Sequence, residues 1–128
     1  MKFKSLFDVR LPENMEKASD RIQFNHCNEE FRDMFESNEN FRNGMMDIVQ
    51  GHAAKVNREH PEYDYSTEIF CEEVKMGHTP PGYTWHHADE CGKIQLVEEE
   101  IHRNTPHTGG RSKWGGGAEA RRKGKIGD

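Results

Sequence analysis

The chain has 128 residues, 32% of them hydrophobic and 32% charged, a composition that fits one domain around a thin core and calls for a stabilising metal or partner. The net charge of -5 hides an asymmetry: residues 103–128 carry seven Lys/Arg against Glu119 and Asp128, leaving residues 1–102 at -10, with 11 basic and 21 acidic side chains. No apolar run approaches the ~20 residues needed to span a bilayer, and no signal-peptide stretch opens the chain, so the sequence predicts a soluble protein with no export signal of its own.

In chain order, Phe3, Leu6, Phe7, Val9 and Leu11 alternate loosely before Pro12 interrupts, a pattern open to an edge strand or a docking arm. From Asn28, with Glu29 and Glu30 as an acidic first turn, Phe31, Met34 and Phe35 fall at helical spacing and predict a short helix to about Glu36. A second helix is expected from about Asn38 to Gln50, with Phe41, Met45, Ile48 and Val49 on one face and Gly51 as its stop. Pro61, Asp64 and Ser66 read as a turn, and the isolated His26, His52 and His60 as structural or surface residues. Residues 67–74 extend the helical scaffold, after which Gly77, Pro80, Pro81 and Gly82 break the chain. That break is expected to separate a helical scaffold, residues 1–79, from an active module. The cysteines Cys27, Cys71 and Cys91 show no CxxC spacing and are expected to be ordinary reduced thiols.

Five of the eight histidines, His78, His86, His87, His102 and His107, lie within thirty residues after the scaffold. Imidazole titrates near neutral pH and is the commonest metal ligand, so this density suggests a metal-assisted hydrolytic site. Residues 83–87 are aromatic and short, Asp89 to Gly92 supply turn chemistry, and residues 93–97 alternate as a hairpin partner. Glu98, Glu99 and Glu100 suit a helix start, limited by Pro106 and Gly109-Gly110, and the basic residues 118–128 are expected to form a mobile tail. The predicted unit is strand, strand, helix.

Neighbouring residues on a strand face opposite ways, so His86 and His87 cannot share one job: one is available to a metal, the other to substrate. His102 and His107 would stand about 140° apart on a continuous helix. They reach one ion only if the helix ends between them, as Pro106 suggests. An ion held by two or three histidines keeps open positions for water and a phosphate oxygen, and a nearby imidazole can take the proton of the attacking water. Arg103, Arg111 and Lys113 are then suited to flanking phosphates, against the plainer reading of a solvated basic tail. Trp114 is expected to pack rather than to stack on a base.

The string Gly82-Tyr83-Thr84-Trp85-His86-His87, followed by Gln95-Leu96-Val97, His102 and His107-Thr108-Gly109-Gly110, closely resembles the Trp-His-His group of the HNH/endonuclease VII nuclease superfamily, nuclease toxin domains of bacteria related to colicin-like DNases. The resemblance covers residues 80–117 and extends more weakly through residues 24–41, at Phe24 and the Cys27-Asn28 pair. It implies an α+β protein carrying a ββα-metal (His-Me finger) module, in which His86 ligates one divalent ion (Mg, Mn, Ni or Zn), His87 is the general base, His102 is the helix ligand and His107 is a third ligand or a phosphate contact. Gln95 stands where the superfamily usually has Asn, bracing the hairpin that carries His87; Trp85 is core support. The Gln for Asn exchange and the five-residue step from His102 to His107 depart from the colicin pattern.

The resemblance further implies an endonuclease acting on DNA, or on RNA with the same fold; the sequence offers no base-reading element, so little sequence specificity is expected. It implies a toxin effector that is secreted or delivered into a target cell's cytoplasm and neutralised by an immunity protein. Two other readings stand beside it. One is a structural zinc module closed by Cys71, His78, Cys91 and the His86/His87 pair; the other is a non-catalytic interaction protein, against which the intact His86, His87 and His102 speak.

Overall fold

The computed structural model describes residues 4–99 and Trp114. A short strand, β1 (Phe7–Arg10), leads through a 3-10 turn at Glu13–Met15 into three helices, α1 (Asp20–Ser37), α2 (Glu39–Glu59) and α3 (Thr67–Lys75). A hairpin of β2 (Tyr83–His87) and β3 (Lys93–Glu98) follows. The protein is thus of mixed α+β class, with a small antiparallel sheet ordered β1-β3-β2.

Each helix starts where a side chain satisfies a backbone N–H that the helix itself leaves unpaired. Ser19 Oγ accepts from Ile22 N at 3.3 Å, Asn38 Oδ1 from Phe41 N at 2.9 Å and Ser66 Oγ from Ile69 N at 3.2 Å. Asn38 sits in extended conformation (φ -125, ψ 103), ends α1 and starts α2, so the two helices form a hairpin with a one-residue connection. Two helix boundaries differ from the expected ones. The first helix begins at Asp20 rather than Asn28, because its buried face opens with the polar Gln23 and includes Asn28, which hide the apolar period. The second runs past Gly51 to Glu59, because His52, Ala53 and Val56 continue its packed face and Gly51 keeps helical backbone.

The core is aromatic. Phe31 lies 5.3 Å from Phe7, 5.8 Å from Phe41 and 6.2 Å from Phe70, mostly edge to face, and Phe70 reaches Tyr83 of β2 at 5.7 Å. Such offset pairs add specific geometry to the burial of large apolar area. β1 is the edge strand of the two openings left by the sequence, with Val9 opposite Ile94 and Phe7 opposite Leu96. Residues from before the helices therefore share a sheet with the histidine hairpin. The helix expected after Glu98 and the basic tail lie outside the described residues.

Candidate active site

The approach to β2 is fixed by contacts from α2. Asn57 pairs with the backbone of Tyr65 through two hydrogen bonds of 2.7 Å, and the Tyr65 hydroxyl donates to Pro81 O at 2.6 Å. Gly82 then turns with φ +84, and a Cβ there would stand 3.0 Å from His52 Cε1. The buried His52 ring also lies 4.8 Å from Tyr83. His52 and His60 are structural, as expected: the latter ends α2 and stacks on Tyr63 at 4.8 Å. Gly92, at φ +74, closes the hairpin turn, where Ala88 N donates to Lys93 O at 2.9 Å.

The strand register settles which way the paired histidines point. His86 is opposite Gln95 and His87 opposite Ile94, so the two imidazoles lie on opposite faces of the sheet, as alternation requires. Tyr83, Trp85 and His87 share the face that meets the helices. Trp85 Nε1 donates to Asn28 Oδ1 at 2.8 Å, and Asn28 Nδ2 in turn donates to Thr79 Oγ1 at 3.2 Å. His87 Nε2 lies 2.8 Å from Gln23 Oε1 and 3.8 Å from Asp20 Oδ1. Its ring is flanked by Phe24 at 5.4 Å and Trp114 at 5.6 Å, leaving it 4% exposed. Trp114 packs, as expected, and its Nε1 donates to Ala88 O at 2.8 Å just past β2.

The other face carries a polar row across all three strands, Asp8, Gln95 and His86. Gln95 Nε2 donates to Asp8 Oδ1 at 3.3 Å, and Lys93 Nζ lies 3.6 Å from Asp8 Oδ2. Burial alone would raise the Asp8 pKa; hydrogen bonds from Ser5 and Gln95 and the Lys93 charge outweigh it and hold the carboxyl below its usual value. Gln95 thus links the hairpin to β1 through Asp8. His86, on this face, is buried. The phenols of Tyr83 and Tyr65 are pushed up by burial, which keeps both neutral and out of acid-base chemistry near neutral pH.

Of the expected site residues, His86, His87 and Gln95 are described; His102, His107, Arg103, Arg111 and Lys113 lie outside the described residues. Among the described residues no three His, Cys, Asp or Glu gather to hold a metal ion. His86 is the described member of the expected ligand set, and its imidazole suits nickel and zinc better than magnesium and manganese, which favour oxygen ligands. The same observation corrects the zinc-module reading, all of whose residues are described. Cys71 Sγ contacts Met46 Sδ at 3.4 Å, His78 pairs with Glu73 at 2.8 Å and Cys91 Sγ faces Glu16 at 3.6 Å, each in its own neighbourhood.

The residues that sequence reasoning missed are Gln23 and Asp20, at the start of α1. The available signal was Ser19 as a cap, followed by Gln23, Cys27 and Phe31 at steps of four. No described helix is long and apolar enough to cross a membrane.

Neither the curated proteins nor the solved structures provide a match to this chain. Residues 75–117 do match a family model, described as a nuclease of the HNH/ENDO VII superfamily with conserved WHH. With Trp85-His86-His87 as its WHH, that segment, about a third of the chain, is similar to this family of nucleases.

Proposed function

We propose that the protein is a metal-dependent endonuclease that hydrolyses phosphodiester bonds in DNA with little sequence specificity, built around a ββα-metal module. The observation that carries this reading is the hairpin, whose matched WHH places His86 and His87 on opposite faces of β2. One face can then serve a metal and the other a proton transfer. His86, with His102 and His107, would hold one divalent ion, which when bound supplies a Lewis acid to a phosphate oxygen. His87 is the general base. It is 4% exposed, so bulk solvent is largely kept from the ring. Gln95 acts from outside the reaction, tying the hairpin to Asp8 of β1.

Arg103, Arg111 and Lys113 belong to the basic end of the chain, and a phosphodiester substrate fits that charge better than any neutral one. No base-reading element accompanies them in the sequence, which favours broad cutting. The wider biological reading follows from the family resemblance: a toxin effector, secreted or delivered to a target-cell cytoplasm, with an immunity protein as partner. Cleavage of supercoiled plasmid with magnesium, manganese, nickel or zinc, with EDTA controls and His87→Ala alongside, tests the activity. Metal-dependent nicking that disappears in EDTA and in the variant is expected. Inactivity with every ion on DNA, together with cleavage of RNA, would replace the substrate; inactivity on both would overturn the reading.

A further inference from the structure

The side chain of Gln23 is fully buried and bonded at both ends. Its Nε2 donates to Met15 O at 2.9 Å and to Glu16 O at 3.0 Å, while its Oε1 faces His87 Nε2 at 2.8 Å. Two backbone carbonyls can only accept, so the amide nitrogen must point at the Met15–Glu16 turn and the amide oxygen at the histidine. An amide oxygen also only accepts, so Nε2 of His87 carries the hydrogen. Asp20 Oδ1, 3.8 Å from that nitrogen, is a further acceptor and favours the same assignment. A neutral imidazole has one N–H, so the basic lone pair belongs to Nδ1.

We propose that Gln23 is a positioning residue for His87, locking the ring in its Nε2–H tautomer so that Nδ1 is the nitrogen that takes a proton from the attacking water. The catalytic part rests on the nuclease reading above; the tautomer is a property of the protein without substrate. In the step itself, a water proton passes to Nδ1, and the water oxygen forms a new bond to phosphorus. The bond from phosphorus to the leaving sugar oxygen breaks with its electron pair, and that oxygen takes a proton from solvent. The imidazolium, still donating from Nε2 to Gln23, returns its extra proton to solvent. The signal originates in an upstream helix, outside the matched residues 75–117. A buried amide wired to the turn at 13–16 transmits the position of that turn to the ring.

The test is a two-bond proton–nitrogen correlation spectrum of the full chain labelled with nitrogen-15 histidine, at alkaline pH where imidazoles are neutral. The His87 signals are assigned by their loss in His87→Gln. The expected result is an Nε2–H tautomer for His87. In Gln23→Met, with circular dichroism verifying the fold, the tautomer should become mixed and kcat should fall about ten- to hundredfold with KM unchanged. In Gln23→Glu, which keeps an acceptor, the Nε2–H tautomer should persist. An Nδ1–H tautomer in the wild type, or wild-type kcat in a Gln23→Met protein whose amide contact is lost, would overturn the proposal. If the wild type cleaves no nucleic acid, the nuclease reading fails while the spectrum still decides the tautomer; if Gln23→Met does not fold, the wild-type spectrum decides it alone.

Discussion

Trp85 and Asn28, 57 positions apart in the chain, meet through a buried hydrogen bond of 2.8 Å from the indole Nε1 to the amide oxygen. Gln23 and His87 form a second such pair on the same helix and strand. Five helical residues rise about 7.5 Å and two strand residues advance about 6.8 Å, so α1 can hold the first and third residues of Trp85-His86-His87 in step. The tryptophan of the motif thereby fixes where the strand lies, and with it where the histidines stand.

From this pairing, Asn28→Ala is expected to lower stability by about 1–3 kcal/mol, since it leaves a buried indole N–H without its acceptor. Trp85→Phe should lose a similar amount plus packing. The double variant should be less damaged than the two singles together, by about 1 kcal/mol of coupling, as read from urea unfolding. Strict additivity would show that the hydrogen bond contributes nothing to the positioning of β2.

Two glycines should respond in opposite directions to alanine. Gly82 holds φ +84 and its Cβ would meet His52 Cε1 at 3.0 Å, so Gly82→Ala is expected to destabilise by about 1–2 kcal/mol or more from the left-handed backbone alone. Gly51 lies inside α2 with nothing within 4 Å of a built Cβ. Gly51→Ala should stabilise by about 0.5–1 kcal/mol. Thermal unfolding of the two variants checks both signs.

The sequence shows the hairpin better than the helices. Tyr83 to His87 and its partner strand announce themselves by aromatic content, alternation and the turn at Gly92, and the observed bounds depart from the expected ones by one residue, at Glu98. The start of α1 is hidden because its inner face is partly polar: Gln23 and Asn28 are buried for the hydrogen bonds they make to His87 and Trp85, partners whose positions no local pattern reveals. Gly51 misleads in the other direction, since a glycine can stop a helix or lie within one, and the continuing face at His52 and Ala53 decides. His86 and His87 are legible as chemistry, and their opposite faces follow from strand alternation alone. The bonds that orient them are tertiary and are not legible.

Asp8 gives the protein an acid-sensitive contact. Its folded-state pKa is held below the ordinary value, chiefly against the effect of burial, by Ser5, Gln95 and Lys93. A depressed carboxyl pKa contributes stability that is present above the unfolded value, about 3.9, and is lost as pH falls through the folded value. Asp8→Asn should therefore be less stable than wild type near neutral pH and converge with it in acid. Because the Asp8 side chain is 51% exposed, the difference is small and should shrink further in high salt. Urea midpoints measured across the acid range give the result.

The three cysteines should separate by exposure. Cys91 is exposed, Cys71 half-buried and Cys27 buried, with burial pushing the Cys27 thiol far above its usual range. A thiol reagent under native conditions should modify Cys91 first and Cys27 last, the latter at the rate of unfolding, since the thiolate is the reacting form. Prompt modification of Cys27 in the folded protein would contradict its place in the α1 core.

The division of labour proposed for the paired histidines, His86 as metal ligand and His87 as general base, gives the sharpest functional prediction. His87 is held by Gln23 on the helix side of the sheet and His86 lies on the opposite face beside Gln95, so the two truncations should fail differently. His87→Ala is expected to abolish cleavage while leaving metal affinity nearly intact, because no ligand is removed. His86→Ala and His102→Ala should weaken both, since a lost imidazole removes a bond to the ion and with it the polarisation of the phosphate. Titration calorimetry with the activating metal, beside plasmid cleavage, separates the cases. Equal loss of metal affinity in His87→Ala and His86→Ala would place both rings on the ion, which their opposite orientations on β2 oppose.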